Sequence, residues 1–184
     1  MDPAVKDYQL FLSGDPEGLS AIIRDYKDGL ILYLNGIVQN IAVAEDLTED
    51  VFVKLIVKRP KFSADSSFKT WLYTIGRNMA ISYLRRNKQF HIPLENCPEL
   101  TNEEMNLERQ YIQKEEQRIL HIAMKKLKPE YYQVLWLAYF EGFSHKETAR
   151  VLGKTVHNTE TLAYRARQAL KQKLLEEGYK YEIL

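Results

Sequence analysis

The chain has 184 residues, a hydrophobic fraction of 45% and a formal net charge of +1, so it can build one average domain or two small ones and is not expected to be disordered. A single cysteine, Cys97, excludes an internal disulfide and a zinc site built from several cysteines. No apolar run approaches the ~20 residues that cross a bilayer, and residues 1–18 lack a signal-peptide pattern, so a cytoplasmic protein without a membrane segment is expected.

Charge is divided into blocks along the chain. Residues 51–90 carry 9 basic and 1 acidic side chains, whereas residues 1–50 carry 3 basic and 10 acidic ones. Residues 91–118 are again acidic, and residues 119–184 are basic. The two basic blocks are either ordinary solvated helix surfaces or two separate contacts with polyanions. The second interpretation is favoured because solvated faces normally mix both signs.

Apolar residues recur at three- and four-residue spacing, and alternating runs of the β type are scarce, so an all-α fold is predicted. Asp15 is suited to cap a helix whose first residue is Pro16. A second helix stops at Pro60, which cannot continue it, and a third begins near Ser66. The apolar face of this third helix is expected at Phe68, Trp71, Leu72, Ile75, Met79 and Leu84.

Prolines and polar residues interrupt the helical pattern over residues 91–102, which are predicted to be a linker. A helix resumes near Asn102 and runs through the RILHIAMKKL segment. Pro129 begins the next helix, which is expected to end at Gly142. The chain is therefore predicted to form two small helical domains joined by an acidic linker: 1–90, 91–118 as the linker, and 119–184.

Residues 147–167, ETARVLGKTVHNTETLAYRAR, are typical of a helix-turn-helix. Ala149 lets the two helices cross closely, and Gly153, four residues later, tolerates the positive φ of the turn. Ser144 and Glu147 have the spacing of a capping box that begins the first helix. The pattern also fits a purely structural helical hairpin. The buried face is expected at Leu152, Val156, Thr159, Leu162 and Ala166.

If the second helix of this motif enters the major groove of DNA, the side chains of its first turns meet base edges. Asn158 can pair with adenine, and Glu160 either accepts a hydrogen bond from cytosine or is an ordinary solvated residue. The expected base contacts are Thr155, His157, Asn158, Glu160 and Thr161, and the expected phosphate contacts are Arg165, Arg167, Lys171 and Lys173.

The first basic block has the composition of a contact with single-stranded nucleic acid. Lys69, Tyr73 and Arg77 recur every four residues opposite the apolar face, which suits stacking of bases and pairing of phosphates. The KFSADSS loop before them offers small polar groups to an extruded base. Trp71 is interpreted as a core residue, whereas Tyr73 is either a stacking residue or a rim tyrosine.

Three segments together resemble the extracytoplasmic-function sigma factors, the small two-domain members of the sigma-70 family. They are AEDLTEDVFVKL (44–55), FKTWLYTIGRNMAISYLRR (68–86) and PEYYQVLWLAYFEGFSHKETARVLGKTVHNTETLAYRARQAL (129–170). The resemblance implies a subunit that directs core RNA polymerase to promoters by recognising −10 and −35 elements and by promoting DNA melting. The implied partners are promoter DNA, the polymerase through its β′ coiled coil and β flap, and an anti-sigma factor.

The resemblance also implies a role for particular residues. Polymerase binding falls to Glu45, Asp46, Leu47, Asp50 and Phe52, of which Leu47 and Phe52 are alternatively core residues. Contact with the −10 element falls to Lys61, Ser66, Ser67, Lys69, Tyr73, Arg77, Asn78, Arg85 and Arg86. The helix-turn-helix residues would read the −35 element, and the acidic linker would thread toward the RNA exit path.

Signatures of an enzyme are missing from the sequence. It has no phosphate-cradling glycine loop, no His-x-x-x-His pair and no Ser/His/Asp set, and its four histidines are scattered. We therefore expect no catalytic residue, no metal, no cofactor and no small-molecule substrate. Two other functions stay open on the residues alone. One is a DNA-binding regulator that uses only the helix-turn-helix, and the other is a helical bundle for protein interaction.

Overall fold

The computed structural model describes residues 2–63, 65–87, 102–112 and 114–179, and all regular structure in these ranges is helical. The helices are α1 Pro3–Leu12, α2 Pro16–Val38, α3 Ile41–Lys58, α4 Phe68–Arg86, α5 Asn102–Tyr111, α6 Glu115–Lys125, α7 Pro129–Tyr139, α8 His145–Leu152 and α9 Val156–Glu176. The all-α prediction is confirmed. We call α1–α4 the N-terminal half and α6–α9 the C-terminal half.

Polar side chains begin the helices where the sequence predicts them. The Asp15 carboxylate accepts a hydrogen bond from the backbone nitrogen of Glu17 at 2.9 Å, which caps α2. Ser144 and Glu147 form the predicted capping box at the start of α8, with the Ser144 backbone nitrogen 3.0 Å from Glu147 Oε2. Gly153 ends α8 at a φ of 64°, a left-handed conformation that glycine adopts without strain.

Two predicted boundaries differ from the structure by a few residues. The third long helix, α4, begins at Phe68 because the hydroxyl of Ser67, rather than Ser66, accepts the bond that caps it, from the backbone nitrogen of Thr70. Helix α7 ends at Tyr139, before the expected Gly142, and its capping residue Phe140 still has right-handed helical dihedrals.

Aromatic rings pack the N-terminal half together. The ring centroid of Trp71 lies 5.4 Å from those of Tyr8 and Phe68 and 5.5 Å from that of Phe62. The Tyr8 hydroxyl also donates a hydrogen bond of 2.7 Å to the carbonyl of Pro60, which ties α1 to the end of α3. Trp71 is half-buried and packs against the hydrophobic core, as its interpretation as a core residue predicted.

Helix α2 is the element that both halves share. Every residue from Gly29 to Ile37 is buried. Helices α1, α3 and α4 pack against α2, and so do α5 and α7. Leu30 and Leu34 of α2 consequently belong to the same hydrophobic cluster as Trp136 of α7. The halves that the sequence suggested as separate lobes are packed on each other in this structure, because α2 is apolar on both faces.

The acidic helix α5 is packed between the halves rather than solvated. Glu104 and Glu108 are only 6% and 4% exposed. The amide of Asn35 on α2 donates a bond of 2.7 Å to Glu104, which also pairs with Lys125 of α6. Glu108 lies 2.6 Å from Nδ1 of His121 on α6. Buried polar partners thus compensate the loss of water around the carboxylates of this acidic segment.

The expected continuous helix after Asn102 is also broken in two. Helix α5 ends at Tyr111 and α6 begins at Glu115. The start of the predicted linker, with Cys97, lies outside the described residues. Among the helices that the structure describes, none combines the length and the apolarity needed to cross a membrane.

Candidate nucleic-acid interface

The outer face of α3 is acidic and free to meet a partner. Asp46 and Asp50, four residues apart, are both exposed, and Glu45 is half-buried. Leu47 and Phe52 are each only 5% exposed and belong to the hydrophobic core. The burial of Leu47 and Phe52 favours the alternative that they are core residues. The side chains that α3 leaves open to a partner include the carboxylates of Asp46 and Asp50 and the apolar groups of Val53, Ile56 and Val57.

The side chain of Lys69 on α4 is turned toward the C-terminal half. Its ammonium group lies 2.7 Å from Oε2 of Glu141 and donates a bond of 2.9 Å to the Glu141 carbonyl oxygen. It also lies 5.4 Å from the centroid of the Phe143 ring, within range of a cation–π contact. The ammonium group of Lys69, which was predicted to contact DNA, is therefore bound to the loop that follows α7.

Tyr73 and Arg77, the next two residues of the predicted DNA-reading face, also contact the C-terminal half. Tyr73 is only 1% exposed, and its ring centroid lies 5.5 Å from that of Phe143. The expectation of an exposed or rim Tyr73 is wrong in this structure, because its ring is packed between Phe143 and Tyr33 of α2, whose centroid lies 5.3 Å away. Arg77 Nε donates a bond of 2.8 Å to Oε1 of Gln133 on α7.

The start of α4 is bonded to α8. The hydroxyl of Ser67 lies 3.1 Å from Oε1 of Glu147, and the hydroxyl of Thr70 lies 3.4 Å from the same oxygen. Burial alone would raise the pKa of Glu147, but the bonds from Ser144, Ser67 and Thr70 outweigh it and hold the pKa below its ordinary value. The capping carboxylate of α8 thus also holds the N-terminal end of the predicted DNA-reading helix.

Glu141 is a functional candidate that the sequence reasoning missed. Its Oε1 accepts bonds of 3.0 Å from the Tyr111 hydroxyl and from the Trp136 indole nitrogen, while Oε2 pairs with Lys69. The Glu141 side chain is only 1% exposed, so three elements converge on one buried carboxylate. Burial, followed by the charge of Glu141, raises the pKa of the Tyr73 hydroxyl well above its ordinary value. The feature of the sequence that could have pointed to Glu141 is its position as a lone acidic residue after the apolar helix α7.

The other predicted −10 contacts remain on the surface. They lie on the loop before α4 and on the outer side and end of that helix. Lys61, Asn78, Arg85 and Arg86 are exposed, and Ser66 and Ser67 are half-buried. The predicted set is therefore split, with one part open to solvent and another part covered by the C-terminal half.

Helices α8 and α9 form the predicted helix-turn-helix. Thr155 caps α9 by accepting a bond of 3.2 Å from the backbone nitrogen of Asn158. Thr159 is fully buried, and its hydroxyl donates a bond of 3.0 Å to the Thr155 carbonyl, which explains how a polar residue is tolerated there. Val156 is 43% exposed, so its assignment to the buried face is wrong. As the first residue of α9, it lies beyond the packed part of the helix.

The first turns of α9 present the side chains that were predicted to read bases. Thr155, His157, Asn158 and Glu160 are exposed, and Thr161 is half-buried. Further along α9, Arg165 and Lys171 are exposed, while Arg167 and Lys173 are half-buried. Asn158 and the other first-turn side chains are therefore accessible in the same conformation in which Tyr73 is covered.

One exposed contact bears on Glu160. Its Oε1 lies 3.5 Å from Nδ1 of His145 at the start of α8. Both side chains are about half exposed, and surface pairs of this kind contribute little to stability. Glu160 is thus available for a base contact. In the part of the chain that the structure describes, no group of three metal-ligating side chains comes together.

Two family models match the chain. The model described as Sigma-70 region 2 matches residues 22–90, and the model described as Sigma-70, region 4 matches residues 117–170. The two segments together make up more than half of the chain. The first contains α3 and α4, and the second contains the helix-turn-helix.

Known proteins of similar length give the same result. The chain is 29% identical over 160 residues to RNA polymerase sigma factor YlaC of Bacillus subtilis. The aligned region covers 86% of this chain and 92% of YlaC. It is 25% identical over 170 residues to the ECF RNA polymerase sigma factor SigW of Bacillus subtilis, covering 88% and 91%. Among solved structures, the sigma factor RpoE in complex with the anti-sigma factor NepR from Bartonella quintana has a similar fold. The TM-score is 0.64 at 20% identity, with 84% of this chain and 95% of that one covered.

Proposed function

The chain belongs to the extracytoplasmic-function group of the sigma-70 family, and from this premise we propose how its surfaces serve promoter-specific initiation of transcription. It is an RNA polymerase sigma factor and not an enzyme, because sigma factors are non-enzymatic initiation factors that bind core polymerase. The observation that carries the proposal is the pairing, on one chain, of an acidic exposed face on α3 with a helix-turn-helix whose first α9 turn is open.

Core polymerase is proposed to bind the acidic face of α3. Asp46 and Asp50 lie on the exposed side, and Leu47 behind them anchors the helix in the core. A rigid helix that presents two carboxylates is complementary to a basic surface, for which we propose the β′ coiled coil. Charge complementarity of this kind steers association and selects the partner.

Replacing Asp50 with arginine is expected to weaken capture by core polymerase about tenfold or more, since the reversed charge repels a basic partner surface. A pull-down with immobilised core enzyme measures the loss. The matched control is Asp25→Arg on α2, another exposed carboxylate, which should be captured like the parent chain. Equal retention of both variants would contradict the docking role of α3.

The −10 element is proposed to be read by α4 and by the loop before it. Asn78, Arg85 and Arg86 are exposed cationic or amide groups on this helix. Lys69, Tyr73 and Arg77 complete the set once the C-terminal half is displaced from them. An aromatic ring among cations suits a melted strand, because bases stack on the ring while phosphates pair with the cations.

The −35 element is proposed to be read by the first turns of α9, and the same half is proposed to contact the β flap. Asn158 and Glu160 carry the groups that pair with adenine and cytosine in a major groove. Arg165 and Lys171, further along the helix, are exposed and suit phosphate contact.

Replacing Glu160 with alanine is expected to relax the base preference at one −35 position about fivefold or more, because a good base contact discriminates by about 1–3 kcal/mol. Selection from a promoter library randomised in that element measures the preference. Glu176→Ala, at the far end of the same helix, is the control and should leave it unchanged. A preserved preference in Glu160→Ala would make Glu160 an ordinary surface residue.

The remaining assignments follow the same resemblance. We propose that residues 1–90 bind the polymerase and read the −10 element, and that residues 119–184 read the −35 element. Residues 91–118 are the proposed linker between them. The linker is proposed to run toward the RNA exit path once it leaves its packed position. An anti-sigma factor is the proposed regulatory partner, and the cytoplasm, where the polymerase works, is the proposed location.

Run-off transcription tests the proposed function directly. Core polymerase alone initiates without promoter preference, and addition of the chain should produce transcripts from defined start sites in a pooled promoter library. A DNA-binding regulator that uses only the helix-turn-helix would not confer initiation on core enzyme. Transcription as unselective as that of core enzyme alone would overturn the proposal.

A further inference from the structure

Glu160 is the only acidic side chain among the proposed base contacts of α9. A glutamate side chain has several rotatable bonds, so a carboxylate that turns freely must be ordered when it binds a base, and this ordering costs affinity. The phosphates that border a major groove also repel a carboxylate. A base contact by Glu160 therefore gains from a group that holds the carboxylate in place before DNA arrives.

Helix α9 offers Glu160 no lysine or arginine on its own face. Side chains three and four residues away share a helix face with Glu160, because the helix has 3.6 residues per turn. In α9 these positions hold Val156, His157, Ala163 and Tyr164. The structure pairs the carboxylate instead with a side chain of another helix.

His145 on α8 lies beside the carboxylate of Glu160. Its Nδ1 atom is 3.5 Å from Oε1 of Glu160, and both side chains are about half exposed. A carboxylate only accepts hydrogen bonds, so the ring nitrogen that faces it is the one that carries a proton. The contact adds little to stability, but it engages Oε1 and leaves Oε2 as the acceptor for a base.

The backbone on both sides of this contact is held in place. His145 is the first residue of α8, and the capping box of Ser144 and Glu147 fixes that turn. Thr159, which precedes Glu160, is fully buried, and its hydroxyl is bonded to the backbone of the preceding turn. The freedom that remains is therefore in the side-chain torsions of His145 and Glu160, and the contact between them restricts these torsions.

We propose that His145 is a positioning residue for recognition of the −35 element. Its imidazole holds Oε1 of Glu160 so that Oε2 meets the amino group of a cytosine in the major groove. The imidazole proton also offsets part of the repulsion between the carboxylate and the DNA phosphates. A fixed acceptor discriminates against guanine and thymine, which present oxygen acceptors in the same groove. The inference rests on the proposed function, because it takes α9 as the helix that reads the −35 element.

The test separates base preference from overall affinity, by selection of promoters with the holoenzyme from a library randomised in the −35 element. His145→Ala should relax the preference at the position read by Glu160 about threefold, an effect of the size expected from freeing one flexible side chain. His145→Asn places an amide donor where Nδ1 stands and should retain most of the preference. The matched control is Lys146→Ala, the next exposed residue of α8, which removes a cation and should weaken all promoters alike.

A double variant shows whether the two side chains act as a unit. Once residue 160 is alanine, His145 has no carboxylate to position. Adding His145→Ala to Glu160→Ala should therefore cause no further loss of preference, whereas independent roles would give effects that add. Both side chains are exposed, so these variants should keep the fold, and circular dichroism checks their helix content.

Three results would overturn the positioning role of His145. They are a parent-like preference in His145→Ala, a His145→Asn variant as relaxed as His145→Ala, and additive effects of the two alanine substitutions. An unchanged preference in Glu160→Ala would overturn it as well, because Glu160 would then read no base. Each of these results leaves the proposed function intact if the parent chain still confers promoter-specific run-off transcription. Failure of that transcription assay would instead remove the premise, so the two failures are distinguishable.

Discussion

Replacing Arg77 with alanine is expected to reduce the open promoter complexes formed by the holoenzyme about tenfold, since one contact to single-stranded DNA contributes about 1–3 kcal/mol. The guanidinium group lies on the proposed −10 face, where it would pair with a phosphate or stack on a base. Capture of the variant by core polymerase should be unchanged, because α3 lies on another surface. Permanganate footprinting of unpaired thymines measures the melting.

The direction of this effect distinguishes two roles of Arg77. In the structure its Nε donates to Gln133, so losing the side chain also loosens the packing of the halves. Looser packing by itself gives DNA easier access to α4 and would increase melting. A decrease is therefore the result expected from a lost DNA contact. Arg24→Ala, an exposed arginine on α2, is the control, and normal melting in Arg77→Ala would contradict the assignment.

Replacing Trp136 with alanine is expected to lower the free energy of unfolding by about 3–5 kcal/mol, the usual loss for a buried large aromatic side chain. Trp136 is fully buried and stacks on Phe140 at a centroid distance of 4.5 Å and on Tyr132 at 5.8 Å. Its indole nitrogen also donates to Glu141, which would lose one of its donors. Because a native domain is stable by only about 5–15 kcal/mol, much of this variant would be unfolded at growth temperature.

Urea denaturation of the full chain, followed by circular dichroism, measures the loss from the shift of the midpoint. The control is Tyr164→Ala on α9, where the aromatic side chain is 59% exposed and its removal should change stability by less than about 0.5 kcal/mol. Equal midpoints for the two variants would mean that the Trp136 stack does not support the core.

Local signals in the sequence predicted the helices well. Asp15, Ser144 and Gly153 act within one turn of their own positions, so their capping roles can be read without knowledge of the fold. The helix-turn-helix and the exposed first turn of α9 follow from the same short-range rules. Val156 was misplaced because a first helical residue satisfies the apolar periodicity while it lies outside the packed region.

The packing of the halves could not be predicted from local patterns. Lys69 contacts Glu141, which lies 72 residues further along the sequence, and Arg77 contacts Gln133, 56 residues further along. A cation at helical spacing looks the same whether it faces DNA, water or a distant carboxylate. The available signals were indirect: Gly29 in the middle of a long helix, and the lone acidic residue after α7.

The buried pairs that α5 makes restrict how this segment can change over time. Loss of Glu108 alone would leave His121 without its carboxylate partner in a dry site, and loss of Glu104 would do the same to Asn35. Substitutions at these positions are therefore tolerated when both members of a pair change together. In relatives that keep this arrangement, Asn35 should covary with Glu104 and His121 with Glu108, whereas an exposed position such as Lys27 should drift independently.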